Sequence, residues 1–294
     1  MSESTARLKT PGNLPPRVKW LRDYFFEGTK RQWNNEFRCY TTGTDWDILY
    51  DETPYYIVPE TYAFHKTFTA STKQAARVVK MDDDFYKKPL VVRKAEFLSK
   101  VMTEHMPCVI IENDLLAGSN FNTFTSMCLS KSEQKKRDRL LNGKNGAAHA
   151  MKWFHDHGYG NSGATGGHII ADYERILKDG FKGVYTELED IYISLTEKQK
   201  KGKEGAQLQA MMIAAKMPKK LAEKYAALCG EKAKTEKDKK RKSELLKMAE
   251  NLKVVPWNPA QDFYQAVQSL WIAHMLIMSD ENYPGPGVSF GRLD

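Results

Sequence analysis

The chain is poor in the patterns that mark secreted, membrane-spanning and disulfide-stapled proteins. Its four cysteines, Cys39, Cys108, Cys128 and Cys229, are widely scattered. None forms a C-x-x-C pair, which argues against a disulfide framework and against a zinc site. No run of about eighteen apolar residues occurs, so no helical membrane span is expected. Residues 1–16 are rich in Ser, Thr, Gly and Pro and lack the apolar stretch of a secretory leader. They are expected to form a disordered tail, and the protein to reside in the reducing cytoplasm. Internal repeats are absent as well.

Basic charge is present, but in one place. The 294 residues carry a formal net charge of +8 and are long enough to bury a sizeable core in one or two domains. The excess sits between Lys198 and Lys253, where Lys200-Lys201, Lys219-Lys220 and Lys239-Lys240-Arg241-Lys242 alternate with Glu204, Glu223, Glu231, Glu236, Glu244 and Glu250. Mixed signs along helices describe a solvated face. No aromatic interleaving or nucleic-acid motif accompanies them, so nucleic acid is not expected as a partner, nor is a membrane. Within this segment Met211–Leu252 reads as two long helices. Ala214, Ala215, Ala222, Ala226 and Ala227 favour a close antiparallel pair, with Gly230 and the 235–238 stretch near its turn.

Aromatic residues crowd the first part of the chain. A first helix is expected from Arg17, with Trp20, Tyr24 and Phe25 on it, followed by Trp33, Phe37, Tyr40, Trp46, Tyr50, Tyr55, Tyr56 and Tyr62. A ligand cage and an ordinary core are both compatible with this density. From Val91 an amphipathic helix is expected to run to Met106-Pro107. A buried apolar strand at Val109-Ile110-Ile111 and a turn closed by Gly118 then follow.

Glycine clusters once, with five between Gly158 and Gly167. The cluster lets backbone approach backbone or ligand, but the Lys-Ser/Thr pair of a phosphate loop is missing. His155 and His157 would share a face only in an extended segment and have no third ligand, so a metal there is not expected. The cluster leads into G-H-x-x-x-D-Y-x-x-x-L-x-x-G, matched by Gly167, His168, Asp172, Tyr173, Leu177 and Gly180. Near the end of the chain stands P-x-x-P-A-x-x-F-x-x-A-x-Q-x-L-W, from Pro256 to Trp271. Its 262–277 portion spaces Phe263, Val267, Leu270, Trp271, His274, Met275 and Met278 for a helix with one buried face. Pro284 and Pro286 end that helix, and Val288-Ser289-Phe290 alternates as a strand within S-x-G-R-x-D, matched by Ser289, Gly291, Arg292 and Asp294. The chain stops at Asp294 without polar padding, which reads as a truncation.

In this order the three elements near residues 91–118, 167–180 and 256–294 resemble the glycyl radical enzymes, the pyruvate formate-lyase-like family. The resemblance implies an α/β fold, mainly helical in this portion. Residues 17–294 would be the N-terminal, incomplete part of a ten-stranded β/α barrel. It implies a small-molecule substrate and a homodimeric parent enzyme. It also implies a glycyl radical on a residue outside this chain, installed by a partner activating enzyme that uses S-adenosylmethionine and an iron–sulfur cluster. No cofactor is expected to bind this chain itself. The family's radical is passed to a cysteine in a C-x-E loop. Cys108 is followed by Ile110 and Cys128 by Ser130, and no R-V-x-G-Y-like sequence occurs, so neither catalytic part is expected here.

By the same resemblance His168 is a substrate contact, the alternative being a structural histidine that caps the following helix. Ser289 is another, the alternative being an ordinary strand serine. The aromatic N-terminal region is similar to that of arylacetate decarboxylases of the indoleacetate type, which implies radical decarboxylation of an arylacetate in an apolar cavity. The absence of arginine from Gly158 to Tyr173 argues against pyruvate and, less strongly, a sulfonate, since both favour a bidentate guanidinium. Lyases of C–S or C–O bonds, of the isethionate sulfite-lyase or diol dehydratase type, remain the alternative within the family. Outside it, the alternative is an inactive fragment whose lysine-rich hairpin binds an acidic partner.

Overall fold

The computed structural model describes residues 14–21, 79–105, 108, 110–118, 130–158 and 170–280. The chain divides into two compact units, one of Met1–Ala70 with Ile111–Asp114, the other of Ser71–Ile110 with Leu115–Asp294. In the first, residues 16–21 are helical, and Asn113 adopts a positive φ of 63°. The dense aromatics from Trp33 to Tyr62 lie outside the described residues.

The second unit is built from helices. They are α1 (Leu90–Lys100), α2 (Lys131–Asn142), α3 (Ala147–Asp156), α4 (Tyr173–Ser194), the short α5 (Glu197–Lys200), α6 (Lys203–Thr235), α7 (Lys239–Val254) and α8 (Phe263–Asp280). Their starts follow from side chains that satisfy orphan N–H groups. Ser130 and Glu133 form a reciprocal capping box on α2, Asp172 accepts from Arg175 N on α4, and Asp238 accepts from Arg241 N on α7. The expected antiparallel pair is α6 and α7, turning at residues 236–238. Its lysines face outward, in keeping with a solvated surface. Lys216 and Lys219 lie over the rings of Tyr185 and Trp257, at 4.1 and 5.0 Å, and latch α6 to its neighbours.

The core lies where α1, α6, α7 and α8 meet, with Val101, Leu221, Tyr225, Cys229, Met248, Ile272 and Met275 all fully buried. α1 ends as expected near residue 105, its last turn widened into a π-helical turn at Val101–His105. The apolar strand expected beyond it is not found: of residues 109–111, the described Ile110 and Ile111 are buried but irregular. Ile170 carries a single β-bridge, and no extended strand occurs among the described residues, so the α/β expectation is met there mainly in its helical part. The helix near the end of the sequence is α8; of the face predicted to be buried, His274 and Met275 are buried, and the rest differs. Phe263 is 84% exposed, Val267, Leu270 and Trp271 are half-buried, and Gln265, Gln268 and Ser269 are buried instead. The polar residues are inside because two of them bond to the backbone, as described below for Gln268.

α4 is broken once, at Gly180, whose φ of 66° is open to glycine at little cost. The break frees backbone groups, and the 256–260 loop takes them up. Phe181 N donates to Pro256 O at 2.9 Å, Lys182 N to Trp257 O at 2.8 Å, and Ala260 N returns a bond to Leu177 O at 3.2 Å. A Cβ on Gly180 would stand 2.3 Å from Trp257 O. Gly180→Ala is therefore expected to destabilise the chain by about 2–4 kcal/mol, through positive-φ strain and loss of this docking. A urea midpoint unchanged from wild type would contradict the account.

Candidate functional site

The motif residues meet where the start of α4 lies against α8. Tyr173 is the first residue of α4, placed by the Asp172 cap, and its hydroxyl is 3.1 Å from His274 Nδ1 on α8. Tyr173, Ile176 and Ala273 form a small buried cluster there, with Phe181 and Leu270 packed on it. His274 stacks on Trp271, centroids 6.1 Å apart and planes at 27°. Burial lowers the His274 pKa and raises that of Tyr173, so both rings are held neutral.

On its other side Trp271 closes over Gly118, where φ is +125° and a Cβ would fall 2.9 Å from the indole. The segment before Gly118 is held by two side chains of α8. Gln268 Nε2 donates to Ala117 O and its Oε1 accepts from Ala117 N, both at 2.8 Å, while the Tyr264 hydroxyl donates to Leu115 O. An amide thus supplies the donor and acceptor that a neighbouring strand would supply, which is why Leu115–Gly118 needs no strand partner.

The two residues predicted to touch substrate, His168 and Ser289, lie outside the described residues. In sequence, His168 precedes the Asp172 cap and Ser289 follows α8. The cap of α4 is Asp172, the position that the structural alternative gave to His168. The roles of Tyr173, Gln268 and Trp271 were not assigned from sequence. A glutamine six residues after the acidic, cap-like Asp262 and one helical turn before Trp271 was the available signal for Gln268, since buried amides are bonded.

Among the described residues, no group of three or more His, Cys, Asp or Glu side chains is arranged to hold a metal. His157 Nδ1 lies 2.8 Å from Trp153 O and its ring stacks on that indole at 4.3 Å. The side chain of His155 and the residues Cys39 and Cys128 are not described. One correction concerns the cysteines: Cys229-Gly230-Glu231 does have the C-x-E spacing that no cysteine was expected to show. It lies inside α6, not on a loop, with Cys229 fully buried. Burial pushes the Cys229 and Cys108 thiols up to about 11.

With this geometry in place, comparison with known proteins gives the class. The pyruvate formate lyase-like family matches residues 144–294, more than half of the chain. The chain belongs to that family, the glycyl radical enzymes. It is 37% identical over 127 residues to the isethionate sulfite-lyase of Desulfovibrio desulfuricans, covering 42% of this chain and 15% of that protein. To the (2S)-3-sulfopropanediol dehydratase of Klebsiella oxytoca it is 31% identical over 172 residues, covering 55% and 20%. To the indoleacetate decarboxylase of Tractidigestivibacter scatoligenes it is 54% identical over 52 residues, covering 18% and 6%. The fold is similar to that of the structure solved for 1,2-propanediol dehydration in Roseburia inulinivorans. There the TM-score is 0.56 at 21% identity, over 67% of this chain and 30% of that one. The chain thus spans a fifth or less of the curated relatives it matches.

Two measurements check the site. Gln268→Leu leaves Ala117 N–H and C=O buried without partners and is expected to cost about 2–4 kcal/mol. The adjacent Ser269→Ala removes a buried hydroxyl that has no partner and should be neutral or stabilising. Equal urea midpoints for the two variants would refute the clamp. The His274 pKa is lower in the folded chain than its ordinary 6.5, so the unfolded chain binds that proton more tightly. The stability from keeping the ring neutral is complete above pH 6.5 and is lost as pH falls through the folded value. In His274→Gln the loss of stability between about pH 7.5 and 5.5 should be smaller than in wild type; an identical slope would show that another group carries it.

Proposed function

We propose that the chain is part of a glycyl radical lyase that cleaves a C–S or C–O bond in a small hydroxyalkyl substrate, of the isethionate sulfite-lyase or diol dehydratase type. The observation that carries this reading is the extent of the likeness. The sulfite-lyase and the sulfopropanediol dehydratase align over 127 and 172 residues, and the indoleacetate decarboxylase over 52. The arylacetate reading, which rested on the aromatic N-terminal region, is thereby the weaker of the two. The lack of arginine between Gly158 and Tyr173 places any anion-binding guanidinium elsewhere in the polypeptide.

In this reading His168 and Ser289 contact the substrate, and the described helices position the segments that bear them. The neutral Tyr173–His274 pair lies behind that wall. Together with the Gln268 clamp it keeps α4, α8 and the 115–118 segment in one arrangement. The radical belongs to a glycine outside this chain and would be installed by an S-adenosylmethionine-dependent activating enzyme. No step is assigned to Cys108 or Cys229, which are protonated and held in or against the core.

The test is anaerobic turnover by a preparation that supplies the missing C-x-E and R-V-x-G elements together with an activating enzyme. Sulfite from isethionate or an aldehyde from a diol is expected, His168→Ala lowering kcat/KM at least about a hundredfold. Methylindole and carbon dioxide from indoleacetate, without either of the former products, would overturn the C–S or C–O reading in favour of decarboxylation. Turnover by the 294-residue chain alone would overturn the assignment of the radical chemistry to residues outside it.

A further inference from the structure

Helices α1 and α4 both pack on α6, and residues of the three leave a cleft of about 270 Å³ between them. Val92 of α1 and Met212 and Ile213 of α6 make part of its lining apolar. Glu96, Tyr185, Gln209 and Lys216 complete it, and every lining residue lies in the second unit. The volume falls just short of the roughly 300–1,000 Å³ of pockets that hold drug-sized ligands, so the space suits a molecule of fewer atoms.

One charge in that lining lacks an opposite partner. Glu96 is neutralised by Lys88, whose Nζ lies 2.9 and 3.0 Å from its two carboxylate oxygens. Lys216 makes no ion pair among the described residues; its ammonium lies 4.1 Å from the centre of the Tyr185 ring. That ring is itself fixed, its hydroxyl donating at 2.9 Å to Glu189 Oε1, which does not line the cleft. Gln209 is fixed as well, its Nε2 donating to the Tyr192 hydroxyl at 2.9 Å. The cleft thus carries one uncompensated positive charge beside an apolar surface.

Each feature narrows the ligand. An ammonium without a counter-ion attracts an anion, and because the ring already holds it in place, little side-chain freedom is lost when the anion arrives. A single cation matches a monoanion, whereas a phosphate dianion would leave one charge unmatched. Burial against Val92, Met212 and Ile213 favours an anion that carries a short apolar chain. We propose that the cleft between α1, α4 and α6 is a binding site for a small monocarboxylate, its carboxylate on Lys216 and its chain against Val92, Met212 and Ile213. The site is built by these three helices and does not rest on the lyase reading.

A saturation-transfer NMR titration of the 294-residue chain with hexanoate tests the proposal. Saturable binding in the millimolar range is expected, with hexanamide and hexylammonium at least about tenfold weaker. Lys216→Met keeps most of the apolar stem and should weaken hexanoate about tenfold, while Lys216→Arg should retain it. Lys219→Met removes a neighbouring ammonium that lies over Trp257 and does not line the cleft, and should leave binding unchanged. Ile213→Glu places a carboxylate in the apolar part and should abolish binding with Lys216 intact, each variant keeping the wild-type far-ultraviolet circular dichroism spectrum. No saturable binding of hexanoate, hexanamide bound as tightly as hexanoate, or equal effects of Lys216→Met and Lys219→Met would overturn the proposal.

Discussion

The exchange of backbone hydrogen bonds at Gly180 is the constraint on which the remaining arrangement depends. An α-helix satisfies its own polar groups, so a second segment can dock on its backbone only where the ladder is opened. Gly180 opens it at a place where a side chain would collide with Trp257 O. The 256–260 loop then fills the gap, in both directions, with Pro256, Trp257 and Ala260. That loop connects α7 to α8. Fixing it against α4 fixes where α8 begins, and with it which residues of α8 face Tyr173 and which face the 115–118 segment.

From that start α8 does something unusual for a core helix. Its buried face carries Gln265, Gln268, Ser269 and His274 beside Ile272 and Met275. Burying such groups costs free energy unless they are bonded. Gln268 is bonded at both ends of its amide to Ala117, and His274 is within hydrogen-bond distance of Tyr173. The polar residues of α8 are thus the means by which an irregular segment and a second helix are held without a sheet. Five of the family's motif positions on described residues, Asp172, Tyr173, Gly180, Gln268 and Trp271, serve as cap, strut, break, clamp and lid. Together they hold α4, α8 and the 115–118 segment in one arrangement.

Much of the helical frame was legible in the sequence, because the information is local. The spacing of apolar residues marked α1 and α8, alanine content marked α6 and α7, and the Thr235–Asp238 stretch marked their turn, though Gly230, expected near it, lies inside α6. The buried face of α8 was not legible in the same way. Periodicity ranks Phe263 as core and Gln268 as surface, whereas tertiary bonding to Ala117 reverses the order. The strand expected at 109–111 failed for the same reason, since a short apolar run says that a segment is buried but not what pairs with it. Gly180 was recognised as part of a motif, yet its reason lies in a loop some eighty residues away, which no local pattern can report.

Cys229 shows why spacing alone does not define a catalytic thiol. Cys229-Gly230-Glu231 has the required interval, but on a helix residues two apart point to different sides. The thiol is directed into the core, fully buried and raised to about 11, while Glu231 lines an outer groove between α6 and α7 with Gly230. A cysteine that must exchange a hydrogen atom with substrate needs an open side and a carboxylate within reach of the same space; here the helix backbone separates the two. The same geometry that disqualifies the triplet for catalysis turns its glycine and glutamate outward.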